Sequence, residues 1–372
     1  MRVIVLGGAG DVGSRAAADL AATEGVREVT IADRNVAAAA ALARSLRDAG
    51  ARVEALEVDA SDHAGLVRAL AGHDVAASAL GPFYRFERPL VRAAIEAGVD
   101  YASICDDWIA ARTVLDELDE PARRAGRTIL TGLGATPGFS NVAIRHVADQ
   151  LDRLRRVDIC TFQPLNAGGG EAVLRHMLFI MSGEIAGWRG GRAVSLPACS
   201  ETKVVEFPRF GRLKVWNMGH AEPVTIPRFL PGVEECNFFM GYGAGSPLFV
   251  LPARLGLFHS ERGVDLAVGL VARAESLLMR GGPAPGAVRI DVWGEKDGRE
   301  VHRMGCGVGL MREVTALSLS VGALMLARKE LTTRAGGVFA PEACVAPALF
   351  LRRMADKGVQ AWEDLAMTRP FS

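Results

Sequence analysis

Val3-Ile4-Val5-Leu6, followed by Gly7-Gly8-Ala9-Gly10-Asp11-Val12-Gly13, is the stretch of this sequence that decides its fold. The first four residues form an unbroken aliphatic run, the pattern of a parallel strand covered on both faces. Gly8, Gly10 and Gly13 then serve three separate ends. One permits a tight turn, one lets a pyrophosphate approach the backbone, and one lets a helix pack close against the strand. Ala16, Ala17, Leu20 and Ala21 continue as the apolar face of that helix. Its first amides, at Asp11, Val12 and Gly13, are placed to face the phosphate. A second strand over 28–32 ends in Asp33, about twenty residues beyond Gly13, where a carboxylate can accept from the ribose hydroxyls of adenosine. The expected cofactor is a nicotinamide dinucleotide, NAD or NADP. Asp33 favours NAD slightly, because its charge opposes a 2′-phosphate, while Arg34 beside it offers that phosphate a partner.

Outward from this turn the strand–helix alternation continues to about residue 150, which predicts a doubly wound parallel sheet of Rossmann type. A third strand over 53–58 leads into Asp59-Ala60-Ser61-Asp62. There Asp59 and Ala60 can lie beside the adenine, or Asp59 can simply cap the helix, and Asp62 reads as a helix cap. A fourth strand over 74–80 breaks into Leu80-Gly81-Pro82-Phe83 at the carboxyl edge of the sheet, where ligands bind in such folds. These four residues are expected to flank the nicotinamide. A helix over 90–97, a strand over 99–104 ending in Cys105-Asp106-Asp107, and a helix over 110–122 follow. The strand at 128–130 runs into Gly132-Leu133-Gly134-Ala135-Thr136-Pro137-Gly138-Phe139-Ser140-Asn141. Thr136 and Gly138 in this segment are candidates for contact with the nicotinamide amide.

The chain has 372 residues, comfortable for two domains. Lys plus Arg and Asp plus Glu number 43 each, so no basic field invites nucleic acid. The longest apolar stretch, 314–327, carries Thr and Ser and falls short of the ~20 residues of a membrane span. Six cysteines are scattered without metal-type spacing, so no metal is expected and a reducing, cytoplasmic setting fits best.

The second half reads differently. Gly168-Gly169-Gly170 marks a junction before a helix over 171–185. Strands over 157–162, 203–207 and 212–216, and a hairpin over 287–293 and 301–307 around Glu295-Lys296-Asp297-Gly298, predict an open, mostly antiparallel sheet. Its uncovered face or edge points to a homodimer. The catalytic candidates are few. Asp106 and Asp107 can each hold a substrate ammonium or cap the next helix. Arg175, near Glu171, can bind a substrate carboxylate. His176 can act as acid or base, or can be an ordinary surface histidine. Asn141 can hydrogen-bond a ligand or cap its helix; His220 and His259 have little context. Phe238-Phe239-Met240-Gly241-Tyr242-Gly243 can line a hydrophobic pocket or fill a core.

Four segments taken together resemble the saccharopine dehydrogenase-like family of oxidoreductases: Gly8 to Gly13, Leu80 to Phe83, Ala97-Gly98-Val99-Asp100-Tyr101, and the Gly-x-x-Pro-Gly-x-Ser-Asn run at 134–141. Within the family the chain is most similar to the lysine 6-dehydrogenase and carboxynorspermidine dehydrogenase groups. The resemblance is good over 1–145 and 305–365 and poor between. It implies a Rossmann domain over 1–140, an inserted α+β substrate and dimerisation domain over 141–309, and C-terminal helices over 310–372 returning to the first. It also implies hydride transfer at a carbon–nitrogen bond of an amino-acid or polyamine-like substrate. The family's aromatic-rich segment has its nearest counterpart at 176–182, which leaves the substrate open. The alternatives are a reductase of a bulkier hydrophobic metabolite and a dinucleotide-sensing protein without chemistry.

Overall fold

The computed structural model describes residues 1–167, 170–258, 263–270, 283–333 and 335–371. Gly168, Gly169, His259 and the Glu171 side chain lie outside the described residues. The chain divides into two compact units, Met1–Phe139 with Glu313–Lys357, and Ser140–Arg312 with Gly358–Ser372.

The first unit is built on a parallel sheet. Its strands are β1 (Arg2–Leu6), β2 (Glu28–Asp33), β3 (Arg52–Glu57), β4 (Val75–Ser78), β5 (Asp100–Ser103) and β6 (Thr128–Leu130), with a seventh at Gly337–Phe339. The order from one edge is that seventh strand, then β6, β5, β4, β1, β2 and β3. Every pairing is parallel. Strand order reverses on either side of β1, which puts the glycine turn at the topological switch point of the sheet. Val3, Ile4, Val5 and Leu6 are fully buried, as their unbroken aliphatic run requires.

Local chemistry moved several boundaries. The helix after β4 starts at Phe83 and runs to Ala97, straight through Pro89. A proline inside a helix reads as a breaker, since it lacks the amide of the ladder, and this placed the expected start seven residues too late. The helix expected over 110–122 is two, Trp108–Glu117 and Asp119–Ala125, hinged at Leu118. Asp62 caps the helix His63–Leu70 by accepting from the Gly65 amide.

The second unit carries β7 (Arg153–Phe162), β8 (Glu184–Arg189), β9 (Arg192–Pro197), β10 (Thr202–Phe207), β11 (Gly211–Asn217), β12 (Glu235–Gly241), β13 (Gly286–Lys296) and β14 (Arg299–Gly309). The sheet runs β10-β11-β12-β7-β13-β14, with β8 pairing β12 and β9. β7 and β12 are parallel; the other described pairings are antiparallel. The helix expected over 171–185 stops at Ile180, and Glu184 opens β8. Gly190 and Gly191, both at positive φ, make the two-residue turn of the β8–β9 hairpin, a signal the helical pattern obscured. Phe239 packs with Cys160, Phe162, Val205, Phe207, Val215 and Ala287 in a core cluster. Phe238 stacks on the His220 ring with centroids 3.7 Å apart, so the aromatic pair at 238–239 is spent on packing.

Asp100 fastens the end of the chain to the first sheet. It is buried, accepts from the Thr128 amide at 3.0 Å and pairs with Lys329. Asp100→Ala leaves a buried amide and an ammonium without their acceptor. We expect it to lower unfolding free energy by about 3 kcal/mol, read as a fall in the urea midpoint.

Candidate active site

The turn after β1 is a cradle that only glycine can line. A Cβ at Gly13 would stand 2.1 Å from the Gly7 carbonyl oxygen, and one at Gly8 would stand 2.7 Å from that of Val5. Gly7 itself lies at φ +67°, close against the Leu80 backbone. The helix Asp11–Ala21 begins at Gly10 with no side chain capping it, so its leading amides are kept for a ligand. Arg15 accepts neither role: it pairs with Asp11 at 2.5 Å and with Glu313 in the first turn of the helix Met311–Ala327. Burial works against the Arg15 charge, but these two carboxylates outweigh it and raise its pKa.

Asp33 sits over this cradle. Its carboxylate accepts from the Ala9 amide at 3.1 Å and from the Asn35 amide at 2.9 Å, which aims it at the turn. Arg34 is exposed. Asp59 is held below the usual carboxylate range by the Ser61 amide and hydroxyl, and further by Arg34 and Arg85. Arg34, Asp59 and Arg85 thus share one electrostatic neighbourhood beyond the ends of β2 and β3, with half-buried Ala60 beside them. Sequence reading missed Arg85, because it belongs to a helix turn that reading had left as loop. The open amides, the glycine-only cradle and the acceptor at Asp33 fit a dinucleotide.

At the other end of the crevice, Gly81-Pro82 is a cis peptide and Phe83 packs with Ile104, Cys105 and Ala110. Leu80 donates its amide to the Ser78 hydroxyl at 3.4 Å. Asp107 is fully buried and accepts from the Ala110 amide at 2.8 Å, so the capping alternative holds for it. Asp106 is half-buried at the same strand end. Burial, then Glu87, Asp107 and Asp106, push the Cys105 thiol far up, which removes it as a nucleophile. The 132–138 segment closes on itself. Gly134 donates to the Pro137 carbonyl at 2.7 Å, and Phe139 donates back to that of Gly134 at 2.9 Å. A Cβ at Gly138, φ +126°, would meet the Gly134 oxygen at 2.2 Å. Thr136, half-buried, precedes the second cis peptide, Thr136-Pro137.

One group at this end was not foreseen. Glu87, fully buried in the helix Phe83–Ala97, receives hydrogen bonds from the hydroxyls of Tyr101 (2.9 Å), Ser103 (2.5 Å) and Thr131 (3.0 Å). Its only trace in the sequence is hydroxyl residues at the ends of two apolar strands.

In the second unit, Arg175 lies on the helix Gly170–Ile180 and pairs with Asp265 at 2.8 Å; His176 follows it, half-buried. Asn141 is buried inside the first turn of the helix Phe139–Ala148 and accepts from Ser140, so it does not cap that helix. His220 pairs with the buried Glu222. A buried charged group was also missed. Asp158 on β7 lies directly opposite Asp291 on β13. Asp158 accepts from Arg156 (2.9 Å), Lys203 (2.7 Å) and Asn237 (2.7 Å). Asp291 accepts from Arg289 and His302, each at 2.8 Å. Burial would raise the Asp158 pKa, but these donors prevail and lower it. The cluster borders a cavity of about 680 Å³. Its signal was an aspartate between apolar neighbours, Val157-Asp158-Ile159 and Ile290-Asp291-Val292.

Comparison with known proteins bears on this geometry. Residues 3–130 match the family model described as the saccharopine dehydrogenase NADP binding domain. The carboxynorspermidine synthase of Vibrio cholerae is 26% identical over 331 residues, 78% of each chain. The apo saccharopine dehydrogenase (L-Glu forming) of Saccharomyces cerevisiae has a similar fold, with TM-score 0.67 at 16% identity over 96% of this chain and 98% of that one. Residues 3–130 carry the saccharopine dehydrogenase NADP binding domain, and the whole chain is similar to saccharopine dehydrogenase-like proteins. The chain is an NAD(P)-dependent oxidoreductase, with the dinucleotide unit that the glycine turn announced. A Mycobacterium tuberculosis protein whose name assigns it as a trans-acting enoyl reductase is 26% identical over 184 residues, 48% of this chain and 44% of that one. Among the described residues no helix is long and apolar enough to cross a membrane.

Gly13→Ala tests the cradle directly. We expect it to weaken reduced-dinucleotide binding more than tenfold by fluorescence titration, and to cost about 2–4 kcal/mol of stability.

Proposed function

We propose that this oxidoreductase transfers hydride between a nicotinamide dinucleotide and a carbon–nitrogen bond of an amino-acid or polyamine-like substrate. The likeness to the carboxynorspermidine synthase carries this reading, because its 331 aligned residues extend well past the dinucleotide domain matched over 3–130. Oxidising an amine sends a hydride to the dinucleotide and a proton to a base, leaving an imine. Asp106 is our candidate for holding the substrate ammonium, and Asp107 fixes the turn that presents it. Arg175 is assigned to a substrate carboxylate and His176 to proton transfer. A panel of amines and amino acids, followed by reduced-nicotinamide absorbance, tests the proposal. Turnover only of carbon–carbon double bonds would favour the second reading, a reductase of a bulkier hydrophobic metabolite, which the enoyl reductase likeness supports.

For the cofactor we propose a slight preference for NAD. The reason is the fixed Asp33 carboxylate, with Arg34 and Arg85 as the features that keep NADP usable. Asp33→Asn is expected to raise kcat/KM for NADP relative to NAD by about tenfold, whereas Arg34→Ala should lower NADP use more than NAD use. Steady-state kinetics with both dinucleotides reads each change.

We also propose a cytoplasmic homodimer joined through the second unit. Six buried cysteines, none joined in a disulfide, support a reducing compartment. Leu248, Leu251 and Leu255, exposed at helical spacing on and beside the helix Ser246–Arg254, support the interface. Leu251→Glu is expected to convert a dimer to a monomer by light scattering behind size exclusion.

A further inference from the structure

Glu87 is a carboxyl group in an unusual position. It is one turn beyond Phe83 on the helix that follows β4, and it is completely buried. Its three donors come from the carboxyl-end half of the sheet: Tyr101 and Ser103 from β5, and Thr131 just past β6. Among the described residues no cation pairs with it. A buried carboxylate normally finds an arginine or lysine; this one is stabilised by hydroxyl dipoles alone, so its charge is not cancelled nearby.

Its surroundings place that charge. Ser103 also accepts the Cys105 amide at 3.4 Å, and its own carbonyl accepts the Leu133 amide at 2.6 Å. Through Ser103, Glu87 therefore grips both loops that leave the carboxyl ends of β5 and β6. These are the loops of Asp106 and of the Gly134–Gly138 turn. Glu87 is also felt electrostatically by Cys105, and Asp107 by Glu87. In an open α/β sheet the reacting half of the dinucleotide lies outside these strand ends. The oxidised nicotinamide ring carries a positive charge that the reduced ring lacks.

We propose that Glu87 is a positioning residue that ties the two loops together and, through its uncompensated negative charge, stabilises the oxidised dinucleotide relative to the reduced one. The arrangement biases the protein toward holding the hydride acceptor, the form required to oxidise an amine. Burial raises the Glu87 pKa and nearby Asp107 adds to the rise, while the hydroxyls of Ser103, Tyr101 and Thr131 pull it only part of the way back. The three donors favour the ionised form at the site.

The inference rests on the dinucleotide reading, and one experiment separates the two. Dissociation constants for the oxidised and reduced forms of the preferred dinucleotide are measured by calorimetry for the wild-type protein, Glu87→Gln and Glu87→Asp. Glu87→Gln keeps the shape and loses the charge. It should weaken the oxidised form relative to the reduced one by about fivefold, the order of a partly screened charge–charge interaction. Glu87→Asp keeps the charge on a shorter arm. It should weaken both forms by a similar factor and restore the wild-type ratio. If Glu87→Gln shifts both constants equally, the electrostatic role is overturned and only the structural one stands. If Glu87→Gln does not fold, the wild-type protein decides. It must bind the oxidised form at least as tightly as the reduced form, and a preference of about tenfold for the reduced form overturns the proposal. Failure of the wild-type protein to bind either form would instead reject the dinucleotide reading itself.

Discussion

The contact between the start of the first helix and the Gly7 carbonyl sets the geometry of the whole first unit. Because no Cβ fits there, the helix axis comes closer to β1 than any other residue at position 13 would allow. That closeness leaves the leading amides free at the switch point and lets Asp33 reach back to the Ala9 amide. The same economy recurs at the far end of the crevice. Gly138 meets the Gly134 backbone, and Gly322 presses against Leu133, where a Cβ would lie 2.5 Å from Cδ1. Three glycine contacts, one at the first end and two at the other, hold the walls of the dinucleotide unit.

The features legible in the sequence were those that depend on local pattern. The β1 run, the glycine turn, Asp33 and the Asp62 cap each follow from residues within a few positions of one another. The β13–β14 hairpin was visible for the same reason, through Asp297-Gly298 between alternating strands. What escaped were groups assembled from distant residues. Glu87 gathers hydroxyls from two other strands, and Asp158 meets Lys203, Asn237 and, across the ladder, Asp291. No spacing rule brings such partners together, since their meeting is decided by strand order. The Pro89 helix shows a third kind of failure, in which a sound local rule is overruled by packing of the segment around Leu90, Val91 and Ala94.

Buried carboxylates are handled in two ways in this protein. In the second unit, Asp158 and Asp291 are met by the cations Arg156, Lys203 and Arg289, with His302 hydrogen-bonded to Asp291, so their opposition across adjacent strands is absorbed. In the first unit Asp100 is likewise met by Lys329, whereas Glu87 meets only hydroxyls among the described residues. The first arrangement spends charge on holding a sheet together. The second keeps charge available at the end of the sheet where chemistry takes place, and the difference follows from which side chains the strand order delivers.

The seventh strand of the parallel sheet, Gly337–Phe339, pairs with β6 through the Gly337 and Thr131 amides. Its residues lie more than two hundred positions from that partner in the chain. During synthesis the edge of β6 is therefore bare while Ser140–Arg312 of the second unit is being made. A long-range pairing of this kind forms late and slowly. The nascent dinucleotide unit waits with an open edge until the last part of the chain emerges to cover it, and a chain that stops early leaves that edge available to other strands.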